Sequence, residues 1–482
     1  MGKMKPNILF IVIDSLRADK CYGDKKTSVT PNIDSLIKNG TYFSQTITHG
    51  QSTIPCMSSI LTGLYPFESM SQNDDIFVIN PEADVYMNNF KNFGYNTYAI
   101  VQDSLAHMGL DRIFKNDFEM YPVTSKVWDS LGQQIVNKLK NRKLSEPWFY
   151  YLHLYDLMWI STPARFNPDE GPNEIRDDKY GKNQYERIFS VMDTWLGRIL
   201  HNLNLKNTLI VITADHGTDI GVYTSTMEKS NKHYQKLRER DSNISFKIGQ
   251  KIAHKFPKSM KPVSKKLAGA YKSKSDETIQ NKIKPELEKI EKMELRPYEK
   301  RLMKYSIMPI SNLYDEKHRV PLIFSGYNIP SDTIISQQVQ SVDIFATIAD
   351  IIGLDNVNHD RRGRSLIPLM QGKQLEEIPA FLESATNSTR SPDSNVIGIR
   401  TSEFKYFRDR DDSTKNIHLY DLREDPLEEN NIAETKKDVV EKMEKTVVDI
   451  LKGKDLRHVE SNELSEDEIK KARSVLSRLG YI

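Results

Sequence analysis

The sequence feature that most constrains the fold is a continuous apolar and largely β-branched run close to the start of the chain. Asn7–Ile13 (NILFIVI) shows no alternation of polar and apolar residues, which is typical of a parallel strand buried on both faces of a sheet. The run ends in Asp14. Open α/β sheets bind ligands at the carboxyl ends of their strands. The sequence therefore predicts an α/β fold with Asp14 at that edge, although an Asp that only forms a turn is an equally good local explanation.

Three later runs predict further buried strands of the same sheet: Tyr95–Val101, Trp148–Leu154 and Thr208–Thr213. Polar residues again stand where these strands end. His153 and Asp156 lie at the end of the second run, and Asp215 and His216 follow the third. Because the backbone turns at a strand end, Asp215 and His216 can both face one crevice. A histidine such as His153 at a strand end is, however, more often structural than functional.

A short helix is predicted within Gln51–Pro66 (QSTIPCMSSILTGLYP). Its apolar residues recur at helical spacing, Pro55 stands in the first turn, and a Thr-Gly pair ends it. The hydroxyl of Thr53 would then lie at the positive end of the helix dipole, beside unpaired backbone N–H groups, where an anion can bind. An ordinary Ser/Thr N-cap is the simpler alternative on local grounds.

Taken together, these motifs resemble those of the sulfatase and alkaline-phosphatase superfamily. T-x-P at Thr53–Pro55 followed by T-G-x-Y-P is similar to the nucleophile segment, and D-H-G at 215–217 is similar to the metal-binding pair on the far side of the site. The resemblance implies an alkaline-phosphatase-like α/β fold, with a mostly parallel central sheet flanked by helices. It also implies Thr53 as nucleophile and one divalent metal ion bound by Asp14, Thr53, Asp215 and His216. An imidazole ligand favours zinc or manganese over calcium.

The chain departs from the sulfatase pattern at the positions that bind the transferred anion. The Arg, His and Lys of sulfatases are replaced by Met57, Met158 and Ile310, and a Thr cannot mature to the formylglycine that sulfatases form from Cys or Ser. The main interpretation is therefore a hydrolase or phosphotransferase that acts on phosphate diesters or related anionic esters through Thr53. One alternative is a sulfuric ester hydrolase. The other is a catalytically weak binding protein that uses a basic insertion.

Further residues are candidates for binding the anionic ester substrate: Arg17, His153, Asp156, His318 and Lys304. Arg17 belongs to the segment after the first strand that resembles the family's metal-binding segment. His318 and Lys304 are of interest because cations must be supplied from elsewhere if the three anion-binding positions are apolar. Electrostatic stabilisation of this kind is often the largest catalytic contribution.

The sequence divides into five predicted segments. They are a first part of the catalytic domain (1–224), a basic helical insertion (225–311), a second part of the catalytic domain (312–375), a smaller C-terminal α+β subdomain (376–435) and a charged helical tail (436–482). Within the insertion, residues 225–304 carry 22 Lys and Arg against 10 Asp and Glu. This excess predicts a dock for an anionic membrane surface or a polyanionic glycan. A solvated helical excursion is the alternative, and nucleic acid is not expected because no RNA-binding motif is present.

Composition places the chain among water-soluble proteins of reducing compartments. Charged residues make up 28% of it and the mean hydropathy is −0.57. Its early apolar run is far shorter than a membrane span and lacks the cleavage site of a signal peptide. Two cysteines, Cys21 and Cys56, form no disulfide framework. A cytoplasmic location is expected.

Overall fold

The computed structural model describes residues 5–73, 76–105, 109–114, 118–141, 143–159, 169, 171–220, 281, 283–307, 312–354, 360–384 and 395–452. Most of the predicted insertion lies outside these ranges, as do Ile310 and the tail beyond residue 452. The predictions made for those residues therefore stay predictions.

Nine of the described strands form one central sheet. In chain order, the strands of the chain are β1 (Asn7–Ile13), β2 (Gly40–Ile47), β3 (Met70–Asn73), β4 (Ile76–Ile79), β5 (Asn96–Gln102), β6 (Phe118–Tyr121), β7 (Trp148–Leu154), β8 (Thr208–Thr213), β9 (Arg319–Gly326), β10 (Thr333–Ile335), β11 (Val339–Gln340), β12 (Ala380–Glu383), β13 (Val396–Arg400), β14 (Phe404–Asp409) and β15 (His418–Asp421). The central sheet has the order β10-β2-β9-β8-β1-β7-β5-β6, with β11 also paired to β2. β1 is parallel to both β7 and β8, whereas β9 is antiparallel to β8 and β2.

Helices cover both faces of the sheet and connect its strands. The α-helices are Ala18–Cys21, Pro31–Lys38, Thr53–Thr62, Pro66–Ser69, Tyr86–Asn92, Asp103–Leu105, Asp111–Ile113, Gly132–Lys140, Gln184–Leu200, 283–291, Pro297–Ile307, Asp315–His318, Asp343–Ile352, Ile367–Met370 and Lys437–Leu451. Short 3₁₀ or π turns lie at Val127–Leu131, Asp156–Trp159, Asn173–Arg176 and Asp178–Tyr180. No helix among the described residues is long and apolar enough to cross a membrane.

Side chains of β1 alternate between two apolar cores, one on each face of the central sheet. Phe10 packs on Phe345 and Tyr151, with ring centroids 5.1 and 5.8 Å away. Ile11 faces the opposite core, which includes residues of the helix Gln184–Leu200. Every residue of β1 is buried. The continuous apolar run is thus a strand covered on both faces, and the predicted α/β fold class is confirmed.

A smaller antiparallel sheet, β12 to β15 in sequential order, follows the central sheet in the chain. On one face Phe381 packs on Phe67 from the catalytic domain, with ring centroids 5.2 Å apart. The helix Lys437–Leu451 lies against the same core through Met443 and Val447, which are both buried. The charged sequence after residue 435 therefore has an apolar face that the small sheet covers.

One predicted strand is wrong. The family resemblance also predicts a strand at Leu313–Glu316, but Asp315–His318 is a helical turn that precedes β9. The backbone N–H of Asp315 donates to the Glu428 carboxylate at 2.8 Å. The Asp315 carboxylate in turn pairs with Arg400, 2.9 Å away. These buried polar contacts bind the turn to the small sheet in place of a strand ladder.

The helix Pro297–Ile307, at the end of the predicted insertion, packs on the catalytic domain through ion pairs and hydrogen bonds. Arg301 pairs with Glu316 at 2.7 Å, and both side chains are at least 90% buried. Its guanidinium also donates to the carbonyls of Leu427 and Glu428 at 2.8 Å. This helix therefore bridges the turn before β9 and the loop that follows the small sheet.

We expect Lys405→Met to lower the free energy of unfolding by about 3–5 kcal/mol, because a buried ion pair that loses one partner leaves an uncompensated buried charge. The Lys405 side chain is fully buried between the carboxylates of Asp315 and Glu428, with Nζ 2.7 Å from Glu428 Oε1. Urea unfolding measures the change. The matched control is Lys415→Met, which removes an exposed pair with Asp412 and should leave the midpoint unchanged. Equal midpoints for the two variants would contradict this account.

Candidate active site

Asp14 follows directly on β1 and is held by the residue after it. Ser15 has φ 65°, in the left-handed region that residues with a Cβ rarely adopt. From there its hydroxyl donates to Asp14 Oδ1 at 2.8 Å, and its backbone N–H donates to Asp215 Oδ1 at 3.1 Å. The strained turn thus joins the ends of the adjacent strands β1 and β8, and it orients both carboxylates.

Thr53 is the first residue of the helix Thr53–Thr62 and is buried. Its Oγ1 donates to Asp14 Oδ2 at 3.1 Å. The first turn of this helix carries no acidic residue, so the positive end of the helix dipole is available to an anion. The hydroxyl of Thr53 therefore lies between a carboxylate and an anion-binding helix end.

Asp215 and His216 follow β8, and a neighbouring carbonyl group shows which nitrogen of His216 carries a proton. His216 Nδ1 lies 2.7 Å from the carbonyl oxygen of Gly217, which can only accept a hydrogen bond, so Nδ1 carries a proton and the neutral ring has its lone pair on Nε2. His216 Nε2 lies 3.4 Å from Asp215 Oδ2. Within the described part of the chain, neither atom has a hydrogen-bond partner, although both are buried. Buried polar atoms normally have partners, and two such acceptors side by side fit a bound cation.

Gly217 allows the loop after His216 to approach the turn before β9. A Cβ at this position would lie 2.0 Å from the carbonyl oxygen of Glu316. The N–H of Gly217 donates to the carbonyl of Lys317 at 2.8 Å. Glycine is therefore required here for close backbone contact.

His153, at the end of β7, completes a cluster of acidic and imidazole groups. Its Nε2 lies 3.3 Å from Asp14 Oδ2. One ligand atom each from Asp14, His153 and Asp215 lie within 4.8 Å of one another, and all three side chains are buried. Together with His216 and Thr53, these residues form a donor set with the composition of a divalent-metal site.

The charges in this cluster shift one another's pKa values. Burial raises the pKa of Asp215, and the nearby charge of Asp14 raises it further. Burial also opposes ionisation of Asp14, but the hydrogen bond with His153 and the electrostatic interactions with His216 and His153 outweigh it and lower the pKa of Asp14. Burial opposes protonation of His216, yet the carboxylates of Asp215 and Asp14 prevail and raise its pKa. Two carboxylates buried this close together favour any positive charge placed between them.

The other predicted substrate-binding residues lie in different surroundings. The guanidinium of Arg17 forms two hydrogen bonds with Asp19, at 2.8 and 2.9 Å. Asp156 accepts the backbone N–H of Val127 at 2.7 Å, and burial raises its pKa to about 6. Lys304 forms an ion pair with Glu291 and is partly exposed. The structure does not bring these residues into the cluster, and their roles in substrate binding stay predictions.

His318 lies beside the loop that leads to Thr53. Its Nδ1 donates to the carbonyl of Thr48 at 2.9 Å. Burial, together with the charge of Lys405, lowers the pKa of His318 to about 3. His318 is therefore neutral at ordinary pH and is not a cation for the site.

Two neighbours of the cluster were missed from the sequence. Lys317 Nζ lies 2.9 Å from Asp219 Oδ2, and its charge acts on His216 to lower its pKa. His318 in the same turn is a candidate from the sequence, whereas the adjacent lysine is not. Tyr151 lies behind His153, with its hydroxyl 2.6 Å from His153 Nδ1. The alternation of strand β7 places residues 151 and 153 on one face and would have revealed this pair.

Comparison with known proteins identifies the family. The family model described as Sulfatase matches residues 6–354. The chain belongs to the sulfatase family. A second model, described as N-sulphoglucosamine sulphohydrolase, C-terminal, matches residues 299–453. The resemblance stated from the sequence is therefore confirmed over the central and the small sheet alike.

One curated relative and two solved structures are distant in sequence but match more than nine-tenths of this chain. Arylsulfatase K of Danio rerio is 22% identical over 464 residues, which cover 93% of this chain and 84% of the relative. A protein solved in complex with its substrate D-glucosamine-2-N,6-O-disulfate has a TM-score of 0.59 at 16% identity, covering 94% of this chain and 100% of that chain. Phosphonate monoester hydrolase of Agrobacterium radiobacter has a TM-score of 0.58 at 17% identity, with 93% and 95% covered. These structures share the fold.

We expect the purified protein to hold one divalent ion per chain, and Asp215→Asn to retain less than about a tenth of it, because changes even behind metal ligands typically cost 10–100-fold in affinity. Elemental analysis after purification without chelator measures the content. Asp156→Asn is the matched control, since Asp156 also follows a central strand but accepts a backbone N–H outside the cluster. Full metal content in Asp215→Asn would exclude this site.

Proposed function

We propose that the protein is a metal-dependent sulfuric ester hydrolase in which Thr53 is the nucleophile. The observation that carries the proposal is the hydrogen bond from Thr53 Oγ1 to Asp14, inside a buried cluster with the composition of a metal site. The main interpretation of the sequence is a hydrolase or phosphotransferase that acts on phosphate diesters or related anionic esters. Membership of the sulfatase family, and relatives named as arylsulfatase and choline-sulfatase, favour the sulfate alternative instead.

Asp14, Asp215 and His216 would hold the metal ion. When bound, such an ion lowers the pKa of a neighbouring hydroxyl and neutralises charge on the transferred group. We favour zinc or manganese over calcium, because imidazole suits these ions whereas calcium prefers oxygen ligands alone.

The chain's own residues support a two-step transfer at sulfur. Asp14 Oδ2 accepts the hydrogen bond of Thr53 and so orients its oxygen. Thr53 Oγ1 forms a bond to sulfur while the ester S–O bond breaks, and the leaving alcohol takes the proton. Water then attacks sulfur, the bond to Thr53 breaks, and hydrogen sulfate is released. Since Thr53 has no aldehyde to hydrate, release requires this attack at sulfur.

Positive charge for the transferred anion comes from the fold as well as from the metal. The N-terminus of the helix Thr53–Thr62 faces the Thr53 hydroxyl, and Lys317 lies close enough to His216 to affect its pKa. These groups support anion binding where Met57 and Met158 stand in place of the sulfatase Arg and His. Lys317 is preorganised by the packing of its turn, Asp315–His318, against Gly217.

A phosphate diester or phosphonate ester is the second candidate substrate. The observation that favours it is Thr53 itself, because an unmodified alcohol can attack phosphorus without maturation to formylglycine. A structure with the fold of this chain is a phosphonate monoester hydrolase. Two further predictions remain proposals whichever ester is the substrate. They are the dock for an anionic membrane surface or a polyanionic glycan at residues 225–304, and the cytoplasmic location.

We expect an aryl sulfate to be hydrolysed faster than the matched aryl phosphate diester, with the metal-loaded protein and the same leaving group. Thr53→Ala should reduce kcat/KM at least about a thousandfold, as loss of a nucleophile does elsewhere. Cys56→Ser is the matched control, because Cys56 is buried in the same helix but plays no part in the transfer.

Faster hydrolysis of the phosphate diester would replace the sulfate ester by the second candidate. Unchanged turnover in Thr53→Ala, with either ester, would end the covalent mechanism.

A further inference from the structure

A buried row of side chains leads from the nucleophile helix to Asp14. The Tyr151 hydroxyl lies 2.6 Å from His153 Nδ1 and 3.7 Å from Met57 Sδ. His153 Nε2 lies 3.3 Å from Asp14 Oδ2. All four side chains are fully buried. The sulfatase arrangement, in which an Arg occupies position 57, does not account for this row.

With a neutral imidazole at His153 the row has two proton arrangements, because Tyr151 has one proton and the imidazole has one N–H. A tyrosine hydroxyl ordinarily has a pKa of about 10, so Tyr151 has a proton to donate at neutral pH. In the first arrangement Tyr151 donates to His153 Nδ1, and Nε2–H donates to Asp14. In the second arrangement Tyr151 donates to Met57 Sδ and accepts from Nδ1–H. His153 Nε2 then presents a lone pair to the cluster.

The second arrangement is favourable only when a cation occupies the cluster. Without one, the lone pair of His153 Nε2 faces the Asp14 carboxylate across 3.3 Å, which is repulsive. With one, a nitrogen and two carboxylate oxygens within 4.8 Å of one another can bind the same ion. Metal-binding histidines commonly donate their other N–H to an acceptor that fixes the tautomer. The Tyr151 oxygen is such an acceptor, provided that its own proton points elsewhere.

Met57 provides an acceptor toward which the proton of the Tyr151 hydroxyl can point. Its sulfur is a weak acceptor at 3.7 Å from the Tyr151 hydroxyl, whereas an Arg could only donate. An Arg here would also place a positive charge beside the cluster, which opposes a bound cation.

From this geometry we infer that His153 Nε2 is a ligand of the metal ion, with Tyr151 and Met57 selecting the tautomer that allows it. The inference rests on the metal site of the proposed function. It gives the ion two imidazole ligands, His153 and His216, rather than one. Nitrogen-rich sites favour zinc, cobalt or copper strongly over calcium.

The test is direct binding of Co²⁺ and Ca²⁺ to the metal-free protein. Visible absorption monitors Co²⁺ binding, and calorimetry measures the affinity for both ions. His153→Gln should weaken Co²⁺ binding by about 10–100-fold, change the visible spectrum and leave Ca²⁺ affinity within about twofold. Tyr151→Phe should weaken Co²⁺ binding less, since it removes only the group behind the ligand. The matched control is Tyr150→Phe, a buried neighbour in β7 whose side chain faces the other core.

Pulsed electron paramagnetic resonance of the Cu²⁺-loaded, unmodified protein gives a second measurement that does not depend on the folding of variants. Two coupled imidazoles are expected. One coupled imidazole, or an unchanged Co²⁺ spectrum and affinity in folded His153→Gln, would overturn the inference and leave His153 as a hydrogen-bond donor to Asp14. Neither readout uses a substrate. Two imidazoles without sulfate turnover would therefore refute the proposed function alone, and turnover with one imidazole would refute this inference alone.

Discussion

The site depends on one electrostatic constraint, which is the close burial of two carboxylates at the ends of adjacent strands. Asp14 and Asp215 follow β1 and β8, and the strained turn at Ser15 holds both. Their mutual repulsion raises the pKa of Asp215 on top of the effect of burial. Such an arrangement is stable only when positive charge or hydrogen-bond donors surround it. The imidazoles of His153 and His216, the hydroxyl of Thr53 and the proposed metal ion all provide such groups.

A second set of buried charges holds the parts of the chain together around this cluster. Asp315 in the turn before β9 pairs with Arg400 and Lys405 of the small sheet, and the next residue, Glu316, pairs with Arg301 of the helix Pro297–Ile307. The same turn carries Lys317 and contacts Gly217. The small sheet and the helix are thus linked to the loop after Asp215 and His216 through three consecutive residues. This turn therefore joins the buried ion pairs of the fold to the loop that carries the proposed metal ligands.

The strands and the principal site residues could be predicted from the sequence because both follow from local patterns. A continuous apolar run indicates a buried parallel strand, and the edge where such strands end is where Asp14, His153, Asp215 and His216 were expected. The Asp315–His318 turn could not be predicted, because it is stabilised by partners about 85 to 113 residues away in the chain. Lys317 was missed for a related reason. Its position near His216 results from the packing of two loops and not from any spacing in the sequence.

Met57 illustrates the limit of arguing from a missing motif residue. From the sequence it reads as the loss of an anion-binding Arg. In the fold it faces Tyr151, which lies behind His153, so the substitution changes what surrounds the metal site as well as what binds the anion. The proposed Thr nucleophile and the inferred second imidazole ligand together describe a coherent variant of the family's chemistry and not merely a weakened copy.

The central claim is that Thr53 carries the transferred group during turnover. The most direct measurement is rapid acid quenching of the metal-loaded protein with an aryl sulfate in excess, followed by peptide mass spectrometry. The account predicts a sulfuryl group on Thr53 that appears within the first turnover and is absent from Thr53→Ala. Burst-free release of the aryl alcohol, with turnover but no modified peptide at any quench time, would contradict it.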